Sequence, residues 1–307
     1  MAMAKPQQDA DALRKAMEGF GCDKKPIIEI CLGRTNAQRV EIADAYKAYY
    51  GKDIREDLKS ELHGNFKDTV IALFTDPIEY DADELRKAMK GAGTNEDTLI
   101  EIIGSRPPQV LLQIKKKYSE KHGRDLEKDV ESETSGILRK LLVSLLECKR
   151  NTNTQPDLER CKAIAEEIYQ AGEARFGTTE SVFIKYFCNL SPKELEQVGV
   201  DYKKKVGHTI LQAIEKEFSG DPKKLLLTIV YANLIPEEYF ARRVHDAVKG
   251  LGTKDHLLIR VLVSRSEIDM PKIKEKYKEL FHKDMYEDVK NDTSGDYREL
   301  LLGIISK

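Results

Sequence analysis

The sequence predicts an all-α fold built from four homologous units of five helices each. Related segments recur along the chain, each with a glycine-rich loop between two helical patterns. Apolar residues follow the spacing of amphipathic helices, as Leu138, Leu141 and Leu145 do. Alternating β-branched runs, the usual strand signal, do not occur in the sequence. Because one unit cannot bury all its apolar faces, we expect the units to pack on each other.

The units are located by their loops. The second glycines of the four loops are Gly21, Gly93, Gly177 and Gly252, and they are separated by 72, 84 and 75 residues. The longer middle spacing contains "KRNTNTQPD", a polar stretch without periodicity that predicts a linker. We therefore divide the chain into a head (1–8), four repeats (9–79, 80–150, 157–235 and 236–307) and a linker (151–156).

The second unit illustrates the order of the helices. Two helices precede the Pro-Pro pair, one long helix begins there, and two follow. Leu99 and Ile103 lie on one apolar face before the prolines, and Ile114 lies on another after them. In "ETSGILRKLL", we expect Thr134 or Ser135 to be the N-cap of the last helix and to accept a hydrogen bond from its first turn.

Composition limits the classes of function. The 307 residues include 51 Lys and Arg against 53 Asp and Glu, unlike a basic nucleic-acid-binding protein. No apolar run reaches the ~18 residues of a membrane span. We expect neither a signal peptide nor N-myristoylation, because the first residues lack an apolar core and residue 2 is alanine. Five irregularly spaced cysteines predict neither a disulfide framework nor a zinc site, so we expect a reducing cytoplasm.

The glycine loops indicate cation binding. Two glycines between helices can turn several carbonyl oxygens toward one point, and such hard ligands suit Ca²⁺. An acid stands forty positions after the second glycine in every unit, at Glu61, Glu133, Glu217 and Asp292. This position stays acidic while its neighbours vary, so we predict that it completes the site. The alternative is that the glycines cap helices and that the acids begin the next helix.

No motif for catalysis accompanies these loops. A phosphate-binding loop would follow a strand and carry GK[ST], and an EF-hand would carry several acids around its glycine; neither pattern occurs. The histidines lack H-E-x-x-H spacing, and no nucleophile–base pair is assigned. We expect that the protein is not an enzyme. The alternative function is a helical-repeat scaffold for other proteins, with purely structural loops.

The chain resembles the annexin family from about Asp9 to Lys307. The resemblance rests on the loops "KGAGT" and "KGLGT", the acid at a fixed distance, the four units and the longer joint before the third. It implies repeats packed into a curved slab, with the loops on its convex face. It also implies Ca²⁺-dependent, reversible binding to anionic phospholipid by a cytoplasmic protein without a nucleic-acid partner, and leaves self-association on membranes open. The eight-residue head is shorter than the partner-binding helix of some relatives.

The resemblance also implies, position by position, which residues hold Ca²⁺. Each site would combine one distant carboxylate with three loop carbonyls. The carbonyls would be those of Met17, Gly19 and Gly21; Met89, Gly91 and Gly93; Gly172, Arg175 and Gly177; and Val248, Gly250 and Gly252. A central polar passage would comprise Asp81, Glu84, Glu101, Arg106 and Arg260. For that passage, a salt-bridged interface between repeats is favoured over ion conduction.

Single side chains in and near the loops raise further expectations. The residue before the second glycine is Phe20, Phe176 or Leu251 in three units, and we expect it to enter the lipid interface; packing against its own loop is the alternative. Cys22 replaces the loop threonine of the first unit, and Lys24 stands where a carboxylate would support an auxiliary cation site. The third loop also differs in shape from the others.

Overall fold

The computed structural model describes residues 6–19 and 21–307, and every regular element in this part of the chain is an α-helix. Residues 6–19 and 21–307 form twenty helices in four groups of five, which confirms the predicted fold class. The first two groups are α1 (Pro6–Ala16), α2 (Lys24–Gly33), α3 (Asn36–Tyr50), α4 (Ile54–Glu61), α5 (Gly64–Leu73), α6 (Pro77–Ala88), α7 (Glu96–Ser105), α8 (Pro108–His122), α9 (Leu126–Glu133) and α10 (Gly136–Leu146).

The third and fourth groups repeat this plan. They are α11 (Leu158–Ala171), α12 (Glu180–Phe187), α13 (Pro192–Val206), α14 (Ile210–Glu217), α15 (Gly220–Leu234), α16 (Pro236–Val248), α17 (Asp255–Arg265), α18 (Met270–Phe281), α19 (Met285–Asp292) and α20 (Gly295–Ile305). The glycine loop always joins the first and second helices of a group. The distant acid always ends the fourth helix.

The helices form two compact units. Unit one contains residues 1–80 and 240–307, and unit two contains residues 81–239. At the centre of each unit, the second and fifth helices of two groups pack together: α2, α5, α17 and α20 in unit one, and α7, α10, α12 and α15 in unit two. Fully buried side chains such as Val70 and Leu258 in unit one, and Leu142 and Ile229 in unit two, form these cores.

The start of the last helix in the second group differs from our expectation. Ser135 is the N-cap of α10, but its side chain accepts no hydrogen bond. Gly136 follows it with a φ of 59°, so the chain enters the helix through a left-handed residue that L side chains rarely adopt. The adjacent Thr134 hydroxyl instead donates to the carbonyl of Val130 at 2.6 Å, on the preceding helix.

The segment 151–156 lies inside unit two and is not helical. The Asn151 backbone N–H donates to the carbonyl of Asn189 at 2.8 Å, and the Asn151 amide donates to the carboxylate of Glu194 at 3.1 Å. These bonds fix the start of the segment against the ends of α12 and α13.

Candidate metal-binding loops

A backbone hydrogen bond closes all four glycine loops in the same way. The N–H of the residue two positions after the second glycine donates to the carbonyl of an alanine at the end of the preceding helix. These bonds are Asp23 to Ala16 (2.9 Å), Asn95 to Ala88 (2.8 Å), Thr179 to Ala171 (2.6 Å) and Lys254 to Ala247 (2.8 Å). The third loop is one residue longer between these points. The shared closure makes the loops comparable position by position, apart from that insertion.

The backbone path through the third loop differs from the other three. The first glycine of the other loops has a left-handed φ, at 96° in Gly19, 111° in Gly91 and 107° in Gly250. The corresponding residue of the third loop is Arg175, which has no positive φ. Because φ sets the direction of the neighbouring carbonyls, the inserted loop does not present them along the same path as the others.

The four distant acids lie at the C-terminal ends of helices. Glu61, Glu133, Glu217 and Asp292 are the last residues of α4, α9, α14 and α19. The alternative that they begin a helix is therefore wrong. A helix C-terminus carries partial negative charge, which disfavours a carboxylate there. The glycine loop also follows a helix C-terminus, so each loop and its acid form a region that attracts cations.

The loop threonine joins the acid to the loop in three of the four units. The Thr94 hydroxyl donates to Oε2 of Glu133 at 3.1 Å. The hydroxyls of Thr178 and Thr253 donate to Glu217 and Asp292, each at 2.5 Å. The predicted spacing of forty residues thus brings carboxylate and loop together. Sequence reasoning did not identify the threonine bond, although this threonine recurs in three loops.

In the first unit, a thiol takes the place of the threonine. Burial, followed by the nearby charge of Glu61, raises the pKa of Cys22. This places the Glu61 carboxylate close to the first loop as well. Two positions further on, the Lys24 ammonium pairs with Asp296 at 2.6 Å. The other loops carry an acid at that position, so the first loop differs in charge as predicted from its sequence.

The third acid also lies directly against its loop. A side-chain β-carbon placed on Gly172 would lie 3.2 Å from the carboxylate carbon of Glu217. Only a residue without a side chain therefore allows this close approach without displacement. The absence of a side chain at Gly172 leaves the carboxylate beside the loop backbone, where an oxygen ligand is needed.

The donor set fits a hard cation. No cluster of three or more His, Cys, Asp or Glu side chains suited to a metal occurs in residues 6–19 and 21–307. Each loop instead offers neutral carbonyl oxygens and one carboxylate. This oxygen chemistry suits Ca²⁺, whereas Zn²⁺ sites use mainly nitrogen and sulfur ligands.

Two loop tips expose large apolar side chains. The exposed fraction is 103% for Phe176 and 108% for Leu251, relative to an extended reference. The alternative that these two side chains pack on their own loops is therefore wrong. Phe20 lies outside the described residues.

The residues expected in a central polar passage are mostly buried. In unit two, the Arg106 guanidinium donates to both carboxylate oxygens of Asp81, at 2.7 and 3.0 Å. Glu101 is 1% exposed, and Glu84 lies 3.6 Å from a lysine ammonium. Arg260 belongs to unit one and is 2% exposed. The Asp81–Arg106 geometry is that of a structural ion pair.

The same ion pair recurs in the first group, where Arg34 donates to Asp9 at 2.6 and 3.0 Å. In the third group, both members are apolar: Ala165 replaces the acid and Leu190 replaces the arginine. Sequence reasoning did not identify this pair of positions. A comparison of the two positions within each repeat could have identified the pair.

The chain is all-α and consists of four repeats, and each repeat contains a glycine loop and a carboxylate at a fixed distance from it. These features define a class of repeat proteins with candidate cation sites. The Annexin family model matches residues 8–73, 80–145, 164–229 and 239–304. The chain belongs to the annexin family, which is known for Ca²⁺-dependent phospholipid binding and whose members are generally not enzymes.

Individual relatives agree with this assignment. The chain is 44% identical to Annexin A11 of Oryctolagus cuniculus over 97% of this chain and 59% of that protein. It is 45% identical to Annexin A4 of Mus musculus over 96% of this chain and 92% of that protein. It thus spans about three fifths of the first relative and most of the second.

Solved structures of related proteins share the fold. Annexin III superposes with a TM-score of 0.97 at 39% identity, over 100% of this chain and 95% of that chain. Calcium-bound annexin (Sm)1 superposes with a TM-score of 0.87 at 33% identity, over 99% and 90% of the two chains. Within the described residues of our chain, none of the helices combines the length and apolar character needed to cross a bilayer.

Proposed function

We propose that this chain binds anionic phospholipid membranes reversibly and in a Ca²⁺-dependent way through its glycine loops. The observation that carries the proposal is the contact between loop and acid in three of the four units, which the Thr253–Asp292 bond exemplifies. The loop carbonyls named above by position, together with the carboxylates of Glu61, Glu133, Glu217 and Asp292, would hold the ions. Bound Ca²⁺ would supply positive charge and open coordination positions for a lipid phosphate or carboxylate.

The ligand charge predicts weak binding of Ca²⁺ in the absence of lipid. One carboxylate per site is fewer than in an EF-hand loop, which favours dissociation constants toward the ~10⁻⁴ M end of calcium modules. By linkage, lipid must then tighten Ca²⁺ binding by the same factor by which Ca²⁺ tightens lipid binding. Several weak sites on one chain would add avidity.

The exposed loop tips would add apolar contact with the membrane. Phe176 and Leu251 lie beside candidate ligands and are fully exposed. Burial of each side chain in the lipid interface would contribute up to ~2 kcal/mol. The near-neutral net charge of −2 fits binding that depends on a bridging cation rather than on a basic patch. We place such a protein in the cytoplasm, at membranes when Ca²⁺ rises.

Vesicle co-sedimentation tests the proposal. The wild-type chain is expected to pellet with phosphatidylserine-containing vesicles in Ca²⁺ and to stay in the supernatant with chelator or with pure phosphatidylcholine. A variant with Glu61→Gln, Glu133→Gln, Glu217→Gln and Asp292→Asn should lose the Ca²⁺-dependent fraction while it keeps its helical circular dichroism. Binding that survives chelation would contradict the proposal, and unchanged binding of the variant would favour the scaffold alternative.

A further inference from the structure

A polar cleft in unit two lies apart from the residues assigned to the glycine loops. Its volume is about 390 Å³, and it is lined by the segment 150–154, the N-terminal ends of α8 and α13, and the C-terminal ends of α7 and α15. The segment includes Thr152, Asn153 and Thr154, which belong to the polar stretch that the sequence predicts as a linker. None of the lining residues is a candidate metal ligand.

The charged groups of the cleft are cationic. Arg150 and Lys193 line it, and none of its lining residues is an Asp or Glu. Lys193 is exposed and pairs with Glu196 at 2.8 Å, so its contribution is small. Arg150 therefore dominates the electrostatic character of the cleft.

The Arg150 guanidinium is only partly satisfied. Its Nη2 donates to the carbonyl of Phe187 at 2.9 Å, whereas Nη1 is buried and has no hydrogen-bond partner in the described part of the chain. Burial lowers the pKa of Arg150, and the nearby Cys188 thiol opposes the effect only in part. A buried donor without a partner is destabilising, and more so when it is charged. An anion in the cleft would compensate this charge.

Four helices have an end at the cleft. α8 and α13 are 15 residues each and begin at the cleft with Pro108 and Pro192, and no side chain caps α8. Helix N-termini favour anions. α7 and α15 both end at the same cleft and oppose this effect. Two N-termini and two C-termini largely offset each other, and Ser191 and Glu194 already cap α13. The Arg150 guanidinium therefore supplies the positive character of the cleft.

We propose that this cleft binds a small phosphomonoester, with Arg150 facing the phosphate. The hydroxyls of Thr152 and Thr154 and the Asn153 amide supply donors for phosphate oxygens and for hydroxyls of the attached group. A volume near 390 Å³ lies within the range of ligand sites and exceeds the need of a bare ion, which indicates an organic substituent. This site is independent of Ca²⁺ and of membrane binding.

Isothermal titration calorimetry in Ca²⁺-free buffer with chelator tests the inference, because chelation prevents phosphate from binding through Ca²⁺ at the loops. Glycerol 3-phosphate should bind saturably at one site, more tightly than inorganic phosphate, and glycerol should not bind. Arg150→Gln should weaken the affinity for glycerol 3-phosphate at least tenfold. Lys149→Gln is the matched control, since Lys149 pairs with Glu147 outside the cleft. The affinity of this variant for glycerol 3-phosphate should stay within twofold of the wild-type affinity.

A second variant covers the case in which loss of the Arg150–Phe187 bond unfolds the protein. Asn153→Asp places a carboxylate at an exposed cleft position and should also weaken binding at least tenfold, with an unchanged thermal melt. Equal affinities in the wild type and in folded Arg150→Gln or Asn153→Asp would overturn the site, as would the absence of saturable binding. Equal affinity for phosphate and glycerol 3-phosphate would overturn the phosphomonoester assignment. None of these outcomes depends on the vesicle experiment.

Discussion

At the residue scale, the first glycine loop differs from the other three by the side chain that faces the acid. Thr94, Thr178 and Thr253 donate to a carboxylate, whereas Cys22 offers a weak thiol donor. The three threonine bonds hold the acid beside the loop before any cation arrives. The first loop lacks this orientation, so we expect its site to be weaker than a threonine-containing site of equal loop length.

Cys22→Thr should therefore strengthen the first site. If the orienting hydrogen bond contributes ~0.5–1.5 kcal/mol to the site, the Ca²⁺ midpoint should be two- to tenfold lower. The measurement is vesicle binding in a background with Glu133→Gln, Glu217→Gln and Asp292→Asn, so that only the first loop reports. Cys22→Ala is the control and should not lower the midpoint. A Cys22→Thr midpoint equal to that of Cys22→Ala would show that the hydroxyl has no such effect.

The exposed loop tips give a prediction that separates binding from stability. Phe176→Ala and Leu251→Ala should each weaken vesicle binding at fixed Ca²⁺ by up to roughly 30-fold, because up to ~2 kcal/mol of apolar burial is lost. Because both side chains are fully exposed, the free energy of unfolding in urea should stay within ~0.5 kcal/mol of the wild type. Unchanged vesicle binding in both variants would remove the tips from the membrane contact.

The sequence was sufficient to predict that Glu133, Glu217 and Asp292 would meet their loops, because the same spacing recurs along the chain. It was not sufficient to predict the hydrogen-bond partners of single hydroxyls. Ser135 occupies the expected N-cap position, but with the left-handed Gly136 next to it the serine side chain accepts no hydrogen bond from the helix. The Thr134 hydroxyl instead donates to the carbonyl of Val130 on the preceding helix. Such choices depend on backbone angles that residue type alone does not determine.

At the element scale, a tyrosine–aspartate hydrogen bond joins the third and fourth helices of three groups. Tyr118 donates to Asp129 at 2.6 Å, and the equivalent bonds are Tyr46 to Asp57 and Tyr277 to Asp288, both at 2.7 Å. In the third group, Tyr202 donates instead to Glu173 of the glycine loop at 2.7 Å. The sequence signal is an Asp eleven residues after the Tyr. In the third group, Ala213 stands at that position.

Asp129 gives this bond a pH dependence. Hydrogen bonds from Arg124 and then Tyr118 hold the pKa of Asp129 below its ordinary value despite burial. A depressed folded-state pKa contributes stability above the ordinary pKa near 4, and this stability is lost as the pH falls through the folded-state pKa. Asp129→Asn should cost ~1.5–3 kcal/mol at pH 7 and less at pH 3.

Urea unfolding at the two pH values measures this difference. Glu131→Gln, an exposed change on the same helix, is the control and should be nearly neutral at both pH values. An Asp129→Asn cost that does not shrink in acid would show that the loss arises from packing rather than from ionisation.

The close approach of α7 and α15 depends on a glycine. A β-carbon on Gly104 would lie 2.8 Å from side-chain carbons of both Leu225 and Thr228. The β-branched threonine has little rotamer freedom to move away. We expect Gly104→Ala to lower the free energy of unfolding by ~1–3 kcal/mol through overpacking.

Gly199→Ala is the matched control for this change. Gly199 also lies within a helix of unit two, and its nearest contact would be an ordinary 3.8 Å. That substitution should be neutral or stabilising by up to ~1 kcal/mol, because alanine is the better helix former. Similar urea midpoints for the two variants would contradict the role assigned to Gly104.

At the scale of the whole molecule, the four repeats and their helical nature were predictable, but their pairing was not. The sequence predicts a linker between the second and third repeats, yet both repeats and the linker lie in one compact unit. All four repeats present similar apolar faces on their second and fifth helices, so hydrophobic periodicity does not specify which repeats associate. The backbone hydrogen bond from Asn151 to Asn189, which fixes the linker, is likewise not predicted by any motif in the sequence around Asn151.

The two units differ in how the chain supplies them. Residues 81–239 form unit two without a break, whereas unit one needs both chain ends. A fragment of residues 81–239 should therefore unfold cooperatively in urea. A fragment of residues 1–80 should lack a cooperative transition, because α2 and α5 lose their contacts with α17 and α20. Adding residues 240–307 in trans should restore some of its structure, as circular dichroism would show. Cooperative unfolding of 1–80 alone would contradict this account.

The division of unit one between the chain ends has a consequence during translation. The first 80 residues leave the ribosome before the 68 that complete their core are synthesised. At the usual 5–20 residues per second, the remaining 227 residues take on the order of 10–45 s. During that interval, the apolar faces of α2 and α5 have no native partner, so nascent chains should engage chaperones there until the last helix emerges.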